Sequence, residues 1–87
     1  MPATRVQLEG IAALLYDLAV ELTRHRRGSG PYWIMIADLY EALDRCGLDL
    51  AHDDFDAAIV IAVERCVLKT VGTPVHSISP ISPRQRD

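Results

Sequence analysis

The sequence is poor in almost everything that would announce a chemistry. Of its nine cationic residues only Lys69 is lysine and the other eight are arginine, and twelve acidic residues leave a formal net charge of −3. That balance provides no global electrostatic pull towards nucleic acid. There are only two cysteines, Cys46 and Cys66, with no spacing that suggests a disulfide framework. Both stand where a helical pattern wants an apolar residue, which predicts buried free thiols in a reducing compartment. No apolar run approaches the ~20 residues of a membrane span. No charged start followed by an apolar run and a small-residue cleavage site is visible. The expectation is a soluble cytoplasmic protein with no membrane contact.

Catalytic and metal-binding patterns are missing as well. There is no glycine-rich phosphate loop, no nucleophile elbow and no His-Glu-x-x-His. Cys46, His52, Cys66 and His76 are separated by five, thirteen and nine residues, which matches no short paired-ligand pattern for zinc. The acidic stretch from Asp44 to Asp56 lacks the alternating ligands and central glycine of a calcium loop. His25, His52 and His76 read as surface residues. The expectation is a protein that is not an enzyme and takes no cofactor or metal.

What the chain does have is enough apolar material for one core. At 87 residues it makes one domain, and 49% apolar residues suffice to fill it, since a chain this short buries only roughly 60–65% of its unfolded surface. From Val6 to Arg27, Leu8, Ile11, Ala12, Leu15, Leu18, Ala19 and Leu22 recur at helical spacing. Thr4 is a suitable N-cap, Arg24 to Arg27 set positive charge against the negative end of the dipole, and Gly28 ends the helix. A thinner second seam of Ala13, Tyr16 and Val20 on the back of this helix marks a candidate homodimer face.

After the loop Gly28-Ser29-Gly30-Pro31 two readings stand. A helix begins at Pro31, or Tyr32 to Met35 is a short strand and the helix begins near Ile36; both end at Gly47. Leu48 and Leu50 in the following connector should tuck into the core. Asp53 is the expected N-cap of the next helix, with Asp54 and Asp56 in its first turn. Phe55, Ile59, Ala62, Val63 and Cys66 share its expected buried face. After Cys66 the period changes to two: Val67 to Val71, then Gly72-Thr73-Pro74, then Val75 to Ser79 read as a β-hairpin. The domain is expected over residues 1–79, with a Pro/Arg tail at 80–87.

The stretch from Trp33 to Ser79 carries a resemblance. Two helices around Gly47-Leu48-Asp49-Leu50, followed by a third helix and directly by a hairpin, look like the winged helix-turn-helix superfamily. The implied fold class is mainly α with a small β-hairpin (α+β): three helices plus a C-terminal wing. The resemblance implies a gene-regulatory protein whose third helix enters the DNA major groove while the wing touches the backbone.

The residues themselves depart from that implication. The expected exposed face of the third helix is Asp53, Asp54, Ala57, Val60, Ile61, Glu64 and Arg65. Carboxylates near phosphates are repelled, and between Asp53 and Glu64 there is no Arg, Lys, Asn or Gln to read a base. Two expectations follow. One is a non-enzymatic DNA-binding regulator that contacts DNA through Arg24, Arg26, Arg27, Lys69, His76, Arg84 and Arg86. The alternative is a protein-interaction module docking through Asp53, Asp54, Ala57, Val60, Ile61 and Glu64, with no DNA binding.

Overall fold

The longest apolar stripe of the sequence builds the first helix, α1, Arg5–Thr23. It opens with a reciprocal cap: the Gln7 backbone N–H donates to the Thr4 hydroxyl at 3.2 Å, and the Thr4 N–H donates to the Gln7 side-chain oxygen at 2.8 Å. Two otherwise unpaired donors are thus satisfied, which fixes the start where the sequence predicts it. The computed structural model describes residues 4–24 and 32–81. The expected continuation of α1 to Arg27, the stop at Gly28 and the start of the chain's loop therefore lie outside the described residues beyond Arg24. Within them the helix ends sooner, at Thr23. The buried Thr23 hydroxyl turns back and donates to the carbonyls of Ala19 and Val20 at 2.9 and 3.1 Å, so the side chain competes with the backbone for the last turn.

Of the two readings for the next segment, the short-strand reading is the one found, in a shorter form. Strand β1, Ile34–Met35, leads straight into helix α2, Ile36–Arg45. Helix α2 ends at Arg45 with Cys46 as its C-cap, and Gly47, where the sequence placed the stop, follows in the left-handed region at φ 82°. Leu48 is half-buried and Leu50 buried, as the connector required. Helix α3, His52–Glu64, follows; then come strands β2, Leu68–Val71, and β3, Ser77–Pro80. The described residues are therefore mainly helical, with three helices and a three-stranded antiparallel sheet in the order β1-β3-β2. Ile34 pairs with Ile78 and Thr70 also pairs with Ile78, so one buried isoleucine ties the three strands together.

The core lies between α1, α2, α3 and the inner face of the sheet. Leu15 from α1, Leu39 and Leu43 from α2, Leu68 from β2 and Ile78 from β3 have their side chains fully enclosed. Each large aliphatic group buried this way contributes on the order of 1.5–3 kcal/mol.

Four expectations are corrected here. Asp53 is not the N-cap of α3: Ala51 is, with no side-chain cap, and Asp53 and Asp54 sit in the first turn. The start is set by packing, because the Phe55 N–H closes the first helical bond onto the Ala51 carbonyl at 2.9 Å and the Phe55 ring meets Tyr40. Cys46 and Cys66 are both exposed free thiols rather than core residues. Their helices end at Arg45 and Glu64, so each cysteine falls on the turn beyond the helical face. Ile61, expected on the exposed face, is 3% exposed, whereas Val63 and Leu22, expected inside, are each 38% exposed. Helix α3 packs against α1 on one side and β2 on another, so its buried arc is wider than a single stripe and takes in Ala58 and Ile61. Finally, β3 runs through Pro80 and Ile81 is buried, its N–H donating to the Val67 carbonyl at 2.9 Å. Pro80 and Ile81, the first two residues of the expected tail, thus belong to the sheet and its packing.

Cys66 has a further peculiarity. Its φ is 59°, in the left-handed region that glycine normally occupies. The Cys66 N–H donates to the Val63 carbonyl at 2.9 Å and the Val67 N–H to the Ala62 carbonyl at 3.1 Å. These two bonds form a Schellman stop, here closed by a cysteine, and they turn the chain from α3 into β2.

Candidate functional site

The first turns of α3 and α2 and the hairpin turn enclose a solvent-open, mostly apolar groove of about 440 Å³. Helix α3 contributes His52, Phe55, Asp56, Ile59 and Val60, a spacing of three and four that keeps them on one side of the helix. Helix α2 supplies Ile36, Ala37 and Tyr40 from the facing side, and Pro74 and Val75 form the third wall.

Aromatic packing gives the groove a fixed floor. The Tyr40 ring stacks on His52 with centroids 4.6 Å apart and planes 10° from parallel. Its edge meets Phe55 at 5.0 Å and 76°, close to the edge-to-face arrangement that aromatic quadrupoles favour. The Tyr40 hydroxyl donates to the Leu50 carbonyl, which locks the ring against the connector between the two helices.

The hairpin wall is fixed as firmly. The Ile36 N–H, one of the donors that the start of α2 leaves unpaired, donates to the His76 carbonyl at 2.9 Å, and the His76 N–H donates to the Val71 carbonyl at 3.1 Å. Gly72 makes this turn possible. It has φ 99°, and a Cβ there would lie 2.2 Å from the His76 ring and 2.9 Å from the Pro74 carbonyl oxygen.

Among the described residues the groove lining carries one full negative charge, the exposed Asp56, and no lysine or arginine. The described arginines are engaged elsewhere. Arg24 pairs with Glu21 at 2.9 Å and Arg45 with Glu41 at 2.7 Å, and Arg5 and Arg65 join Glu9 and Glu64 between α1 and α3. The Glu41 hydrogen bond and charge hold the Arg45 guanidinium above its ordinary pKa. Among the described residues no group of three or more His, Cys, Asp and Glu side chains is placed to hold a metal ion, and no helix is long and apolar enough to cross a membrane.

The residues singled out from the sequence separate into distinct places. Of the cationic set, Arg24 is ion-paired, Lys69 is exposed on β2 with no ion pair among the described residues, and His76 is exposed with its Nδ1 3.1 Å from the Ser77 hydroxyl. Arg26, Arg27, Arg84 and Arg86 lie outside the described residues. The proposed docking face is partly assembled. Asp53 and Val60 are exposed, Asp54 and Ala57 are half-buried, and Glu64 is drawn to Arg5 at 3.5 Å. Ile61 drops out, being buried. On α1, Ala13 is exposed, whereas Tyr16 and Val20 are half-buried and Tyr16 packs against the core.

Sequence reasoning missed Ile36, Ala37, Tyr40, His52, Pro74 and Val75 as one surface. Three separate segments supply them, and no single periodic pattern could have joined them. The usable signal was local: Tyr40 and Phe55 are large aromatics on the two helices that flank the tight connector.

Compared with family models, with curated proteins and with solved structures, the chain matches none of them. What the geometry defines is a small α+β protein with an apolar groove bearing one acidic side chain.

Proposed function

We propose that this chain is a non-enzymatic winged-helix module that docks a protein partner on α3 and the groove beside it. The winged-helix reading is supported by the element order: a two-residue β1 precedes α2, the hairpin follows α3 directly, and β3 lies between β1 and β2. The single observation that carries the docking reading is the groove itself. It is apolar, open to solvent, bordered by the 55% exposed Val60 and the carboxylate of Asp56, and has no lysine or arginine among the described residues that line it. A nucleic-acid surface needs cations to release counterions from phosphates. An apolar patch rimmed by polar groups suits a protein surface instead.

A second reading, gene regulation through DNA, is favoured by one feature. Lys69 and His76 are both exposed on the hairpin that winged-helix proteins lay along a DNA backbone.

Site-specific photo-cross-linking in the native host separates the two. A photoreactive phenylalanine analogue is placed at position 60 or at position 69. The docking reading expects a protein adduct of defined mass at 60, diminished several-fold by Asp56→Lys, and none at 69. A nuclease-sensitive adduct at 69 with none at 60 overturns it in favour of DNA.

A further inference from the structure

We infer that the groove is built for a partner segment that places an apolar anchor side chain on the aromatic floor and a cationic side chain against Asp56. This rests on the docking reading above and names the chemistry of the partner. The volume, about 440 Å³, lies within the roughly 300–1,000 Å³ range of sites that enclose ligand-sized groups. Phe55 and Ile59 form a buried base, 3% and 5% exposed, and Tyr40 is held by three separate contacts, to His52, Phe55 and Leu50. A preorganised apolar floor of this kind takes an aromatic or branched aliphatic anchor at low entropic cost.

The charge of the groove selects the neighbour of that anchor. Asp56 is the only acidic residue among the ten lining residues, and none of them is Lys or Arg. Asp56 makes no ion pair with any described residue, whereas Glu9, Glu21, Glu41 and Glu64 all do. The positive N-terminal end of α3, equivalent to about half a charge, is outweighed by Asp53 and Asp56, which form no ion pair among the described residues. A cation arriving beside the anchor therefore meets a net negative rim, and an acidic segment is turned away.

The test uses two capped tripeptides, acetyl-Phe-Leu-Arg-amide and its citrulline counterpart, which keeps the shape and removes the charge. Each is titrated into the ¹⁵N-labelled full chain while the backbone amides of Ile36, Tyr40, Phe55, Ile59 and Val75 are followed. The arginine peptide is expected to shift these amides and to bind about two- to five-fold tighter than the citrulline peptide, the ratio a largely exposed ion pair provides. Asp56→Asn brings the ratio close to one, and Asp53→Asn, which alters charge beside the groove but not in its lining, lowers it less. Equal binding by both peptides at the groove overturns the cationic partner and leaves protein docking standing. A ratio lowered equally by both variants overturns the role of Asp56. Shifts confined to amides away from the groove, from either peptide, overturn the docking reading itself.

Discussion

The two ends of α3 use charge in opposite ways. At its C-terminal end every charged residue is tied down. Glu64 meets Arg5 at 3.5 Å, Arg65 meets Glu9 at 3.3 Å, and Arg5 also reaches Glu9 at 3.3 Å. The Arg5–Glu64 and Arg65–Glu9 pairs stitch the end of α3 to α1, and Arg5–Glu9 joins them within α1. At its N-terminal end Asp53 and Asp56 form no ion pair among the described residues, and the helix presents His52, Phe55, Asp56, Ile59 and Val60 to an open groove. The difference shows how one helix can serve two purposes. The fastened end sets the position of the helix, and the open end keeps its electrostatics available for something outside the chain.

The contrast can be broken most severely at the open end. Phe55→Ala removes a buried ring that is both core and groove floor, and should destabilise the protein by about 3–5 kcal/mol. That is a large part of the ~5–15 kcal/mol that holds a domain together. Urea unfolding measures it, and a loss under 1 kcal/mol would mean that the ring is not part of the core.

A smaller effect, of opposite sign, is expected at the fastened end. Left-handed backbone costs a non-glycine residue roughly 1–2 kcal/mol. Cys66→Gly relieves this strain, partly offset by the greater freedom glycine gives the unfolded chain. A net gain of about 1 kcal/mol in unfolding free energy is the expected outcome, and destabilisation would show that the thiol makes a contact worth more than the strain. The smallest effect belongs to the ion pairs. Arg65→Ala should cost less than about 1 kcal/mol, and that loss should shrink as salt is raised, because exposed pairs are weak and screened. A salt-independent loss would mean that the side chain matters by packing over α1 rather than by charge.

Much of the architecture was legible in the sequence. The period of α1, its Thr4 cap, the Gly47 stop and the switch to period two after α3 each rest on local physics that a single segment expresses. The errors came where tertiary contacts overruled local signals. Asp53 has the chemistry of a cap, yet packing of Phe55 on Tyr40 moved the start of α3 to His52. Cys66 fits a buried helical position only if the helix continues, and nothing local announces a stop made by a cysteine at positive φ. Ile61 looked exposed because one stripe was assumed for a helix that packs on two elements. The candidate site was the least legible part. The acidic character of α3 was visible, but the groove exists only once α2 and the turn at Pro74-Val75 are brought beside it.

The strand order has a consequence for how the protein comes into being. β3 follows β1 and β2 along the chain and is the middle strand of their sheet, so both ladders depend on residues 77–80. During synthesis α1 and α2 can form from local contacts as they emerge, but β1 and β2 have no strand partner in this sheet until residues 77–80 leave the ribosome. The Ile36 amide at the head of α2 waits for the same event, since it takes the carbonyl of His76. Closure of the fold and completion of the groove are therefore a single late step, dependent on contacts between residues far apart in the chain. A chain stopped just short of Ser77 would hold all of its core leucines, Leu15, Leu39, Leu43, Leu50 and Leu68, and lack the central strand of this sheet.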